Sequence, residues 1–559
     1  MPDNTFDAIV VGSGISGGWA AKELCEKGLT VLLLERGGPH EHIKDYKTAD
    51  KELYQLPHRG QTTQQQRKDY PVIHRGWAAA EVVMDAWANE QDNPYTEVKP
   101  FTWWRSYRFG GRSVLWGRHS YRWSQMDFEA NAKEGIAIPW PVHYDEIAPW
   151  YDHVERFAGI AGSVEGIANL PDGQFLPPVP LNIVEKDAAA RIKAAFKGQR
   201  QLINSRVANI TVPHNERPGC QMRNRCWEGC PFGGYFSTQS STYPAALKTG
   251  KLTVRPWSLV TQVLYDKDKK KATGVELLDV ENNKTYTYNS RIVFLCASAL
   301  NSAWILMRSA TNIWPEGMGS SSGELGHNVM DHHYNLGASG TMEGYEDKYY
   351  YGRRPAGFYI PRFTNLANDK RDYLRGFGYQ GAASRSGWSR QVAELTLGAE
   401  LKDMLTEPGP WHIGAGGFGE ILPYHENKIT LDQNKKDKWG LPILSMDAEL
   451  KENEFKMRKD IITELVAVLE AAGAKNINSW DSGHAMGHGI HEMGTARMGT
   501  DAKTSVLNKW NQVWDAPNVF VTDGSFMVSS ACQNPSLTYM AFTARAANYA
   551  VEELKKQNL

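Results

Sequence analysis

Three cysteines stand close together in the segment CQMRNRCWEGC, and their side chains are able to bind metal. Cys220, Cys226 and Cys230 follow one another at spacings of six and four residues and are half of the six cysteines in the 559-residue chain. Thiolates bind iron–sulfur clusters, and three of them suit a [3Fe-4S] cluster, which has one iron for each ligand. A [4Fe-4S] cluster needs a fourth ligand, for which His214 is the nearby candidate. Reduced cysteines in an irregular loop, or one disulfide with a spare thiol, remain open alternatives.

A second set of residues has the spacing of a dinucleotide site. Gly12, Gly14 and Gly17 form a G-x-G-x-x-G motif, and Glu35 follows 18 residues after Gly17. Such glycines let the backbone approach a pyrophosphate at a helix N-terminus, and the carboxylate can hold ribose hydroxyls. The motif therefore predicts a bound dinucleotide and leaves open whether it is NAD or FAD.

A strand–helix–strand unit must position these glycines. Apolar residues 8–11 and 31–34 predict two buried parallel strands, and residues 16–27 predict the helix between them. Near the other end of the chain, residues 519–522 predict a further strand, and the segment after it ends in a closing helix. Both chain ends are thus expected in one sheet.

The turn after that last predicted strand contains Asp523 and Gly524. Here a carboxylate and the next backbone N–H can meet the ribityl and pyrophosphate groups of a flavin cofactor. A plain Asp-Gly turn at a strand end is the equally weighted alternative.

The segment HAMGHGIH offers three imidazoles at short spacing: His484, His488 and His491. Two histidines four residues apart on a helix can bind zinc. Three glycines in and beside the segment argue against a firm helix, and no convincing carboxylate ligand is adjacent. We therefore expect His484 and His488 to pack near a pocket or to hydrogen-bond a substrate rather than to hold a metal.

Together these segments resemble the glucose-methanol-choline (GMC) family of FAD oxidoreductases. Five stretches carry the resemblance besides the chain ends: RFGGRSVLWG (108–117), FLCASALNSAWILMRSA (294–310), LGHNVMDHH (325–333), GEILPYHENKITLD (419–432) and HEMGTARMG (491–499). The first is similar to the family's loop against the flavin ring, and the second to a family signature with Ser298 where glycine is usual. The match runs from residue 6 to about 550 and is weakest from about 335 to 410, where such proteins build their substrate pocket.

The resemblance implies an FAD site and two catalytic residues. The implied cofactor-binding residues are Gly12, Gly14, Gly17, Glu35, Gly110, Gly111, Ser113, Asp523 and Gly524. His491 matches the family's general base, and Asn534 matches the amide that orients the substrate hydroxyl. Leu115 stands where pyranose oxidases attach FAD through a histidine, so the cofactor is expected to be noncovalent, unless a shifted alignment brings His119 to that place.

Within the family, WPVHYDEIAPWYDHVERFAGIAG (140–162) and HEMGTARMG are similar to the branch that oxidises sugars, most of all to the large subunits of glucoside 3-dehydrogenases. This implies oxidation of a secondary ring hydroxyl of a glucoside or related pyranose to a ketone, with C3 favoured and flavin N5 as the hydride acceptor. Relatives with cytochrome partners carry three cysteines at this spacing as a [3Fe-4S] site, which implies electron transfer through a cluster to a cytochrome c. The alternatives are a pyranose oxidase that uses oxygen, a glucose 1- or gluconate 2-dehydrogenase, and a catalytically silent flavoprotein that binds a partner.

The net charge and the first residues limit which partners and which cellular location we expect for the protein. A net charge of -1 provides no electrostatic footprint for nucleic acid or an anionic membrane. No apolar run approaches the roughly 18 residues of a membrane span, so direct insertion into a membrane is not expected. The opening MPDNTFDAIVVGSG predicts a strand rather than an export signal. Because iron–sulfur clusters are assembled in the cytoplasm, we hypothesise folded export to the periplasm with a small signal-bearing subunit, and otherwise a cytoplasmic enzyme. The chain has no C-x-x-C-H motif, so a haem must belong to a separate cytochrome c subunit.

The expected fold is α/β, with a Rossmann-like FAD-binding domain of GMC type and an interleaved α+β substrate-binding domain containing an antiparallel sheet. The segments assigned to the FAD-binding domain are 1–60, 100–135, 205–335 and 480–559, with the iron–sulfur loop at 214–236. The substrate-binding domain is assigned 61–99, 136–204 and 336–479.

Overall fold

An eight-stranded sheet joins strands from both ends and the middle of the chain. The computed structural model describes residues 4–223, 225–348, 355, 357–367, 369–386, 397–406, 409–483 and 485–559. The central strand Thr5–Val11 pairs in parallel with Val31–Leu34 on one side and with Lys284–Leu295 on the other. Leu252–Arg255 pairs in parallel with the outer side of Val31–Leu34, and Ala516–Val521 pairs in parallel with the outer side of Lys284–Leu295. The inner strands are continuous apolar runs because helices cover both faces of the sheet.

Antiparallel strands complete this sheet at its borders. Ser258–Asp266 and Lys271–Asp279 form a hairpin that continues into Lys284–Leu295, and Gln512–Val513 pairs with Ala516–Val521. The mixed sheet confirms the predicted α/β class.

The strand–helix–strand unit at the N-terminus has nearly the predicted bounds. Its first helix, Ile15–Glu26, begins and ends one residue earlier than predicted. The strand Val31–Leu34 has the predicted bounds. The strand Thr5–Val11 begins three residues earlier than predicted, where its side chains reach the protein surface.

A second sheet of six strands forms the other layer, and every pairing in it is antiparallel. Its order is Lys475–Asp481, Leu336–Met342, Trp411–Gly419, Phe377–Arg385, Phe358–Ile360 and Ile203–Asn204. Helices Glu452–Ala472 and Ile183–Ala195 bury apolar side chains against it. The antiparallel substrate sheet was predicted, whereas the exact domain bounds stay a prediction.

The remaining elements surround these layers. The other α-helices of the described ranges are Gln64–Asp69, Gln125–Glu134, Tyr144–Ala158, Tyr243–Lys248, Ala299–Arg308, Gly398–Thr406 and Ser536–Lys555. Short 3-10 helices lie at Leu53–Gln55, Ile73–Arg75, Glu81–Ala86, Gly111–Val114, Cys226–Glu228, Ser320–Ser322 and Gly524–Phe526, and a π-helical turn lies at Thr238–Thr242. Two small sheets comprise Lys428–Lys436, Pro442–Asp447 and Thr96–Glu97, and Ile160–Ala161 with Phe175–Leu176. In the part of the chain that the structure describes, no helix has the length and apolar character needed to cross a membrane.

Candidate active site

A cavity of about 250 Å³ opens at the carboxyl ends of the central parallel strands. Its wall combines the glycine turn after the first strand, the segment 103–119, the turn after Ala516–Val521 and part of the HEMGTARMG segment. Ligands bind at this edge of open α/β sheets because the loops after neighbouring strands meet there. The cavity therefore brings together most of the residues predicted to form a site.

The three motif glycines act in different ways. Gly12 has φ +94°, and an added Cβ would lie 2.5 Å from the carbonyl oxygen of Cys296, so only glycine fits the turn. Gly14 precedes the helix Ile15–Glu26 and has no atom within 4 Å of an added Cβ. That open space at a helix N-terminus suits a pyrophosphate. Gly17 lies behind the cavity wall, where an added Cβ would overlap the carbonyl oxygen of Gly12.

Glu35 is tied to the glycine turn through Ser13. The Ser13 hydroxyl donates to the Glu35 carboxylate, which also accepts the backbone N–H groups of Ser13 and Gly37 at 3.0 Å and 2.8 Å. The same hydroxyl accepts the backbone N–H of Gly110 at 2.7 Å. Burial raises the pKa of Glu35, which these hydrogen bonds oppose. Ser13, which the sequence analysis did not single out, thus connects two predicted parts of the cofactor site.

The segment 108–117, here called the glycine loop, packs across the cavity from the first helix. Gly110 has φ +85°, and an added Cβ would overlap the Gln239 side chain, so it supports the loop from behind. Gly111 faces Gly14: its added Cβ would lie 3.6 Å from the Gly14 Cα. The Ser113 hydroxyl accepts the Thr238 backbone N–H at 3.1 Å. The two glycines thus allow the glycine loop to come close to the glycine turn at the edge of the cavity that both line.

Asp523 and Gly524 reach the same cavity from the C-terminal strand. The Asp523 carboxylate accepts the hydroxyls of Ser302 and Ser525, and burial raises its pKa. Ser298, which replaces the usual glycine, has φ +84° and lines the cavity before the helix Ala299–Arg308. This is a glycine-type conformation, which explains why glycine is the common residue there.

His491 and Asn534, the predicted base and amide, both line this cavity. The backbone N–H of His491 donates to Asp331 Oδ1 at 2.9 Å, and its Nδ1 lies 2.9 Å from His332 Nδ1. Burial, then the neighbouring His332, Arg112 and His119, hold the pKa of His491 well below its ordinary value. At neutral pH this imidazole is therefore uncharged and able to take up a proton.

The Asn534 side chain is fixed from the substrate sheet. Gln380 Nε2 donates to Asn534 Oδ1 at 2.5 Å, which leaves the Asn534 N–H groups for other partners. Gln380 lies in the strand Phe377–Arg385, in the region where the resemblance was weakest. No local pattern in the sequence marks it, because its role depends on the pairing of distant strands.

Family models described as GMC oxidoreductase match residues 6–334 and 423–543. The chain belongs to the GMC oxidoreductase family. It is accordingly an FAD-dependent enzyme of a family that acts on CH–OH groups, as the resemblance implied, and the open space beside Gly14 at the N-terminus of the first helix suits the pyrophosphate of that cofactor.

Three similar proteins illustrate the range of this GMC family. The 2-methyl-1,2-propanediol dehydrogenase of Mycolicibacterium austroafricanum is 30% identical over 97% of this chain and 94% of that protein. The fructose dehydrogenase large subunit of Gluconobacter japonicus is 24% identical over 98% of each chain. Among solved structures, the formate oxidase of Aspergillus oryzae superposes with a TM-score of 0.60 at 12% identity, covering 100% of both chains.

The three cysteines of this GMC oxidoreductase lie in the predicted loop 214–236, here called the cysteine loop. All three are free and half-buried, and burial followed by the two neighbouring thiols raises the pKa of Cys220. The Gly234 backbone N–H lies 3.3 Å from Cys230 Sγ, and a Cβ added at Gly234 would lie 3.0 Å from Cys220 Cα. Amide hydrogen bonds to sulfur are a common feature of iron–sulfur sites.

The cysteines do not form a compact single-ion site. Over the described ranges, the one group of three ligand side chains with all ligand atoms within 4.8 Å is Asp331, His332 and His491. A cluster separates its ligands further than one ion does, because each thiolate binds a different iron. His214, the candidate fourth ligand, has its Nε2 2.7 Å from the carbonyl oxygen of Arg156.

The other histidines considered in the sequence lie in different surroundings. His488 packs against the Trp104 ring with centroids 5.5 Å apart, whereas His484 lies outside the described residues. Leu115 and His119 both line the cavity, and His119 Nδ1 lies 3.0 Å from the Tyr121 hydroxyl. The noncovalent attachment of FAD therefore stays a prediction.

Proposed function

We propose that this GMC oxidoreductase is a dehydrogenase that oxidises a secondary ring hydroxyl of a glucoside or related pyranose to a ketone, with C3 favoured. The observation that carries the proposal is the placement of His491 and Asn534 on the wall of the same cavity as the dinucleotide-binding turn. A substrate carbon held there faces a proton acceptor, an amide donor and the cofactor at once.

The protein residues have distinct tasks in the proposed reaction. His491 accepts the hydroxyl proton, because its pKa lies well below its ordinary value and the ring is neutral. Asn534 donates a side-chain N–H to the substrate oxygen while Gln380 holds its Oδ1. Bound FAD supplies the hydride acceptor, its N5 atom, for the second half of the oxidation.

We further propose that Cys220, Cys226 and Cys230 hold an iron–sulfur cluster, with [3Fe-4S] favoured, that carries single electrons to a cytochrome c. The cysteine loop is packed on the glycine loop: the Tyr235 hydroxyl lies 2.9 Å from the carbonyl oxygen of Val114 and 3.1 Å from that of Cys226. A relay at this place is next to the wall of the cofactor cavity, which shortens the path for electron transfer.

The proposed partners follow from this electron path. A cytochrome c subunit would accept the electrons, and a small signal-bearing subunit would carry the folded enzyme to the periplasm. The whole-length similarity to a protein named a large subunit supports an assembly of this kind. Recovery in the periplasmic fraction only when the small subunit is co-expressed would support it, and recovery in the cytosolic fraction alone would contradict it.

Anaerobic flavin reduction tests the oxidation itself. Methyl α-D-glucopyranoside should bleach the flavin absorbance of the wild-type protein, and NMR of the product should show a 3-keto sugar. A carbonyl at C1 of glucose or C2 of gluconate would replace this proposal with the corresponding dehydrogenase. Rapid turnover with oxygen and peroxide formation in iron-free protein would indicate a sugar oxidase.

Iron, flavin and electron paramagnetic resonance (EPR) measurements on anaerobically purified protein test the relay. An oxidised [3Fe-4S] cluster is paramagnetic, so the proposal expects about one spin per flavin. A silent spectrum with iron present would indicate a four-iron cluster, and a silent spectrum without iron would remove the relay. His491→Ala should retain FAD and lose most flavin reduction; unchanged function in this variant would indicate a flavoprotein that only binds a partner.

A further inference from the structure

A second buried imidazole lies behind His491, on the side away from the cavity. The Nδ1 atoms of His332 and His491 are 2.9 Å apart, and the two rings meet nearly at right angles, with an interplanar angle of 83°. On its other edge, His332 Nε2 contacts the backbone carbonyl oxygen of Ala531. A carbonyl and two imidazoles thus form one continuous chain that ends at His491.

The carbonyl determines where the hydrogens of this chain lie. A carbonyl oxygen only accepts, so His332 Nε2 must carry a hydrogen. A neutral His332 then has a bare Nδ1, and the His491 Nδ1 beside it must donate. Because a neutral imidazole has one ring hydrogen, His491 Nε2 has a free lone pair.

The surroundings keep both rings neutral. Burial lowers the pKa of His332 to about 4. Burial, and then the neighbouring His332, Arg112 and His119, lower the pKa of His491 and so oppose its protonation. The Asp331 carboxylate accepts the backbone N–H groups of Gly489 and His491, so its hydrogen bonds hold the loop.

We propose that His332 is a positioning residue that keeps His491 in the tautomer with a bare Nε2, the nitrogen left to face the substrate. This inference rests on the proposed role of His491 as the base. In the opposite tautomer Nε2 would carry a hydrogen and could not accept a proton. The sequence segment LGHNVMDHH contains His332 but no local feature that assigns it this task.

Protons and electrons are both conserved in the proposed reaction step. As the substrate carbon loses a hydride to FAD, its O–H bond breaks and the proton forms a new bond to His491 Nε2. The carbinol becomes a carbonyl, and the cofactor gains two electrons. The protonated His491 keeps its Nδ1–H···Nδ1 bond to His332, so no ring has to rotate.

Three substitutions at His332 separate hydrogen bonding from packing. An asparagine places an amide oxygen near the former Nδ1, where it can still accept from His491. A glutamine extends its polar end toward the former Nε2 and leaves His491 Nδ1 without an acceptor. We expect His332→Gln and His332→Phe to slow flavin reduction by methyl α-D-glucopyranoside by about 100-fold or more, because general-base catalysis contributes at least that factor. His332→Asn should retain much of the rate.

His333 provides the matched control. It is buried like His332, at 1% against 3% exposure. Its ring lies on another side of the chain, where a Cβ added at Gly419 would be 3.1 Å from its Nδ1. His333→Gln should therefore leave flavin reduction far less changed than His332→Gln. Equal losses in the two variants, or equal rates in His332→Asn and His332→Gln, would overturn the inference.

A second measurement needs no substrate. In protein labelled with ring-15N histidine, the signal that disappears in His491→Ala identifies His491. We expect its Nδ1 to be protonated and its Nε2 bare in the wild type, and expect this pattern to be lost in His332→Phe; a protonated Nε2 in the wild type would overturn the inference. Unchanged flavin reduction in His491→Ala, or a wild-type flavin that no sugar reduces, would contradict the proposed function, while the labelled spectra would still decide the tautomer.

Discussion

Arg112 and Glu492 form a two-pronged ion pair between the glycine loop and the residue after His491. The Arg112 Nη atoms lie 3.3 Å and 2.8 Å from the two Glu492 carboxylate oxygens, and one also donates to the Trp104 carbonyl at 3.2 Å. Glu492 is 4% exposed. The pair therefore joins the predicted cofactor loop to the predicted base across the cavity.

Removing one partner of this pair should destabilise the protein. Glu492→Gln and Arg112→Gln each leave a largely buried group without its partner, so a double-mutant cycle should show a coupling of about 0.5–3 kcal/mol in the free energy of unfolding in urea. The exposed Lys44–Glu41 pair serves as a control and should show no measurable coupling. Additive effects of Arg112→Gln and Glu492→Gln would contradict this assignment.

Ser298→Gly should stabilise the protein or leave its stability unchanged. Ser298 has φ +84°, which strains any residue with a Cβ, and relief of such strain contributes about 1 kcal/mol. Ala303→Gly, in the following helix, introduces glycine where the backbone is helical. It should lower the stability of the protein by about 1 kcal/mol through lost helix propensity. Thermal unfolding of the FAD-loaded proteins measures both; equal losses in the two variants would show that φ does not determine the outcome.

Flavin reduction should be insensitive to pH until well below 6.5. The base acts when neutral, and burial together with His332, Arg112 and His119 lowers the pKa of His491 well below its ordinary 6.5. Protonation of His491 should thus not slow the reaction as the pH falls from about 8 to about 6.5 and should do so only at more acidic pH. In Arg112→Gln the loss of a positive neighbour raises the pKa of His491, so the decline should move to higher pH. Burial raises the pKa of the neighbouring Asp331 to about 7, so a decline centred near 6.5 or above would be inconsistent with this environment of His491 if it persists in Asp331→Asn.

Gly234→Ala should lower the iron content of the purified protein without lowering its FAD content. The added methyl group would lie 3.0 Å from Cys220 Cα and 3.6 Å from Cys230 Sγ, so it would press the Cys220 backbone out of its place beside Cys230. Gly416→Ala is the control, since its added Cβ has nothing nearer than the Leu336 carbonyl oxygen at 3.6 Å. Iron-to-flavin ratios decide the matter, and an unchanged ratio in Gly234→Ala would count against a cluster at this loop.

Acid precipitation should release FAD into the supernatant. Leu115, which the resemblance places where pyranose oxidases link FAD through a histidine, lines the cavity, and its side chain cannot form that bond. Flavin that stays with the precipitate would point to His119, which lines the same cavity. Replacing His119 with asparagine would then free the cofactor.

Local sequence patterns predicted the elements that carry the cofactor site. The glycine motif and the apolar runs beside it specify a turn between a buried strand and a helix, and the helix Ile15–Glu26 differs from its prediction by one residue at each end. Such features depend on neighbours within a few residues, so periodicity and turn chemistry suffice to find them. The antiparallel substrate sheet instead came from the family resemblance, since its strands lie far apart in the chain.

The sequence by itself determined the nucleotide-binding unit, the family and the identities of the two residues expected to contact the substrate hydroxyl. The tertiary structure decided what holds those residues: His332 stands 159 residues before His491, and Gln380 stands 154 residues before Asn534. It likewise decided that Ser13 joins Glu35 to Gly110. The physical reason is that a hydrogen-bond partner is selected by packing between distant segments, and packing at that range leaves no periodic signal in the residues on either side.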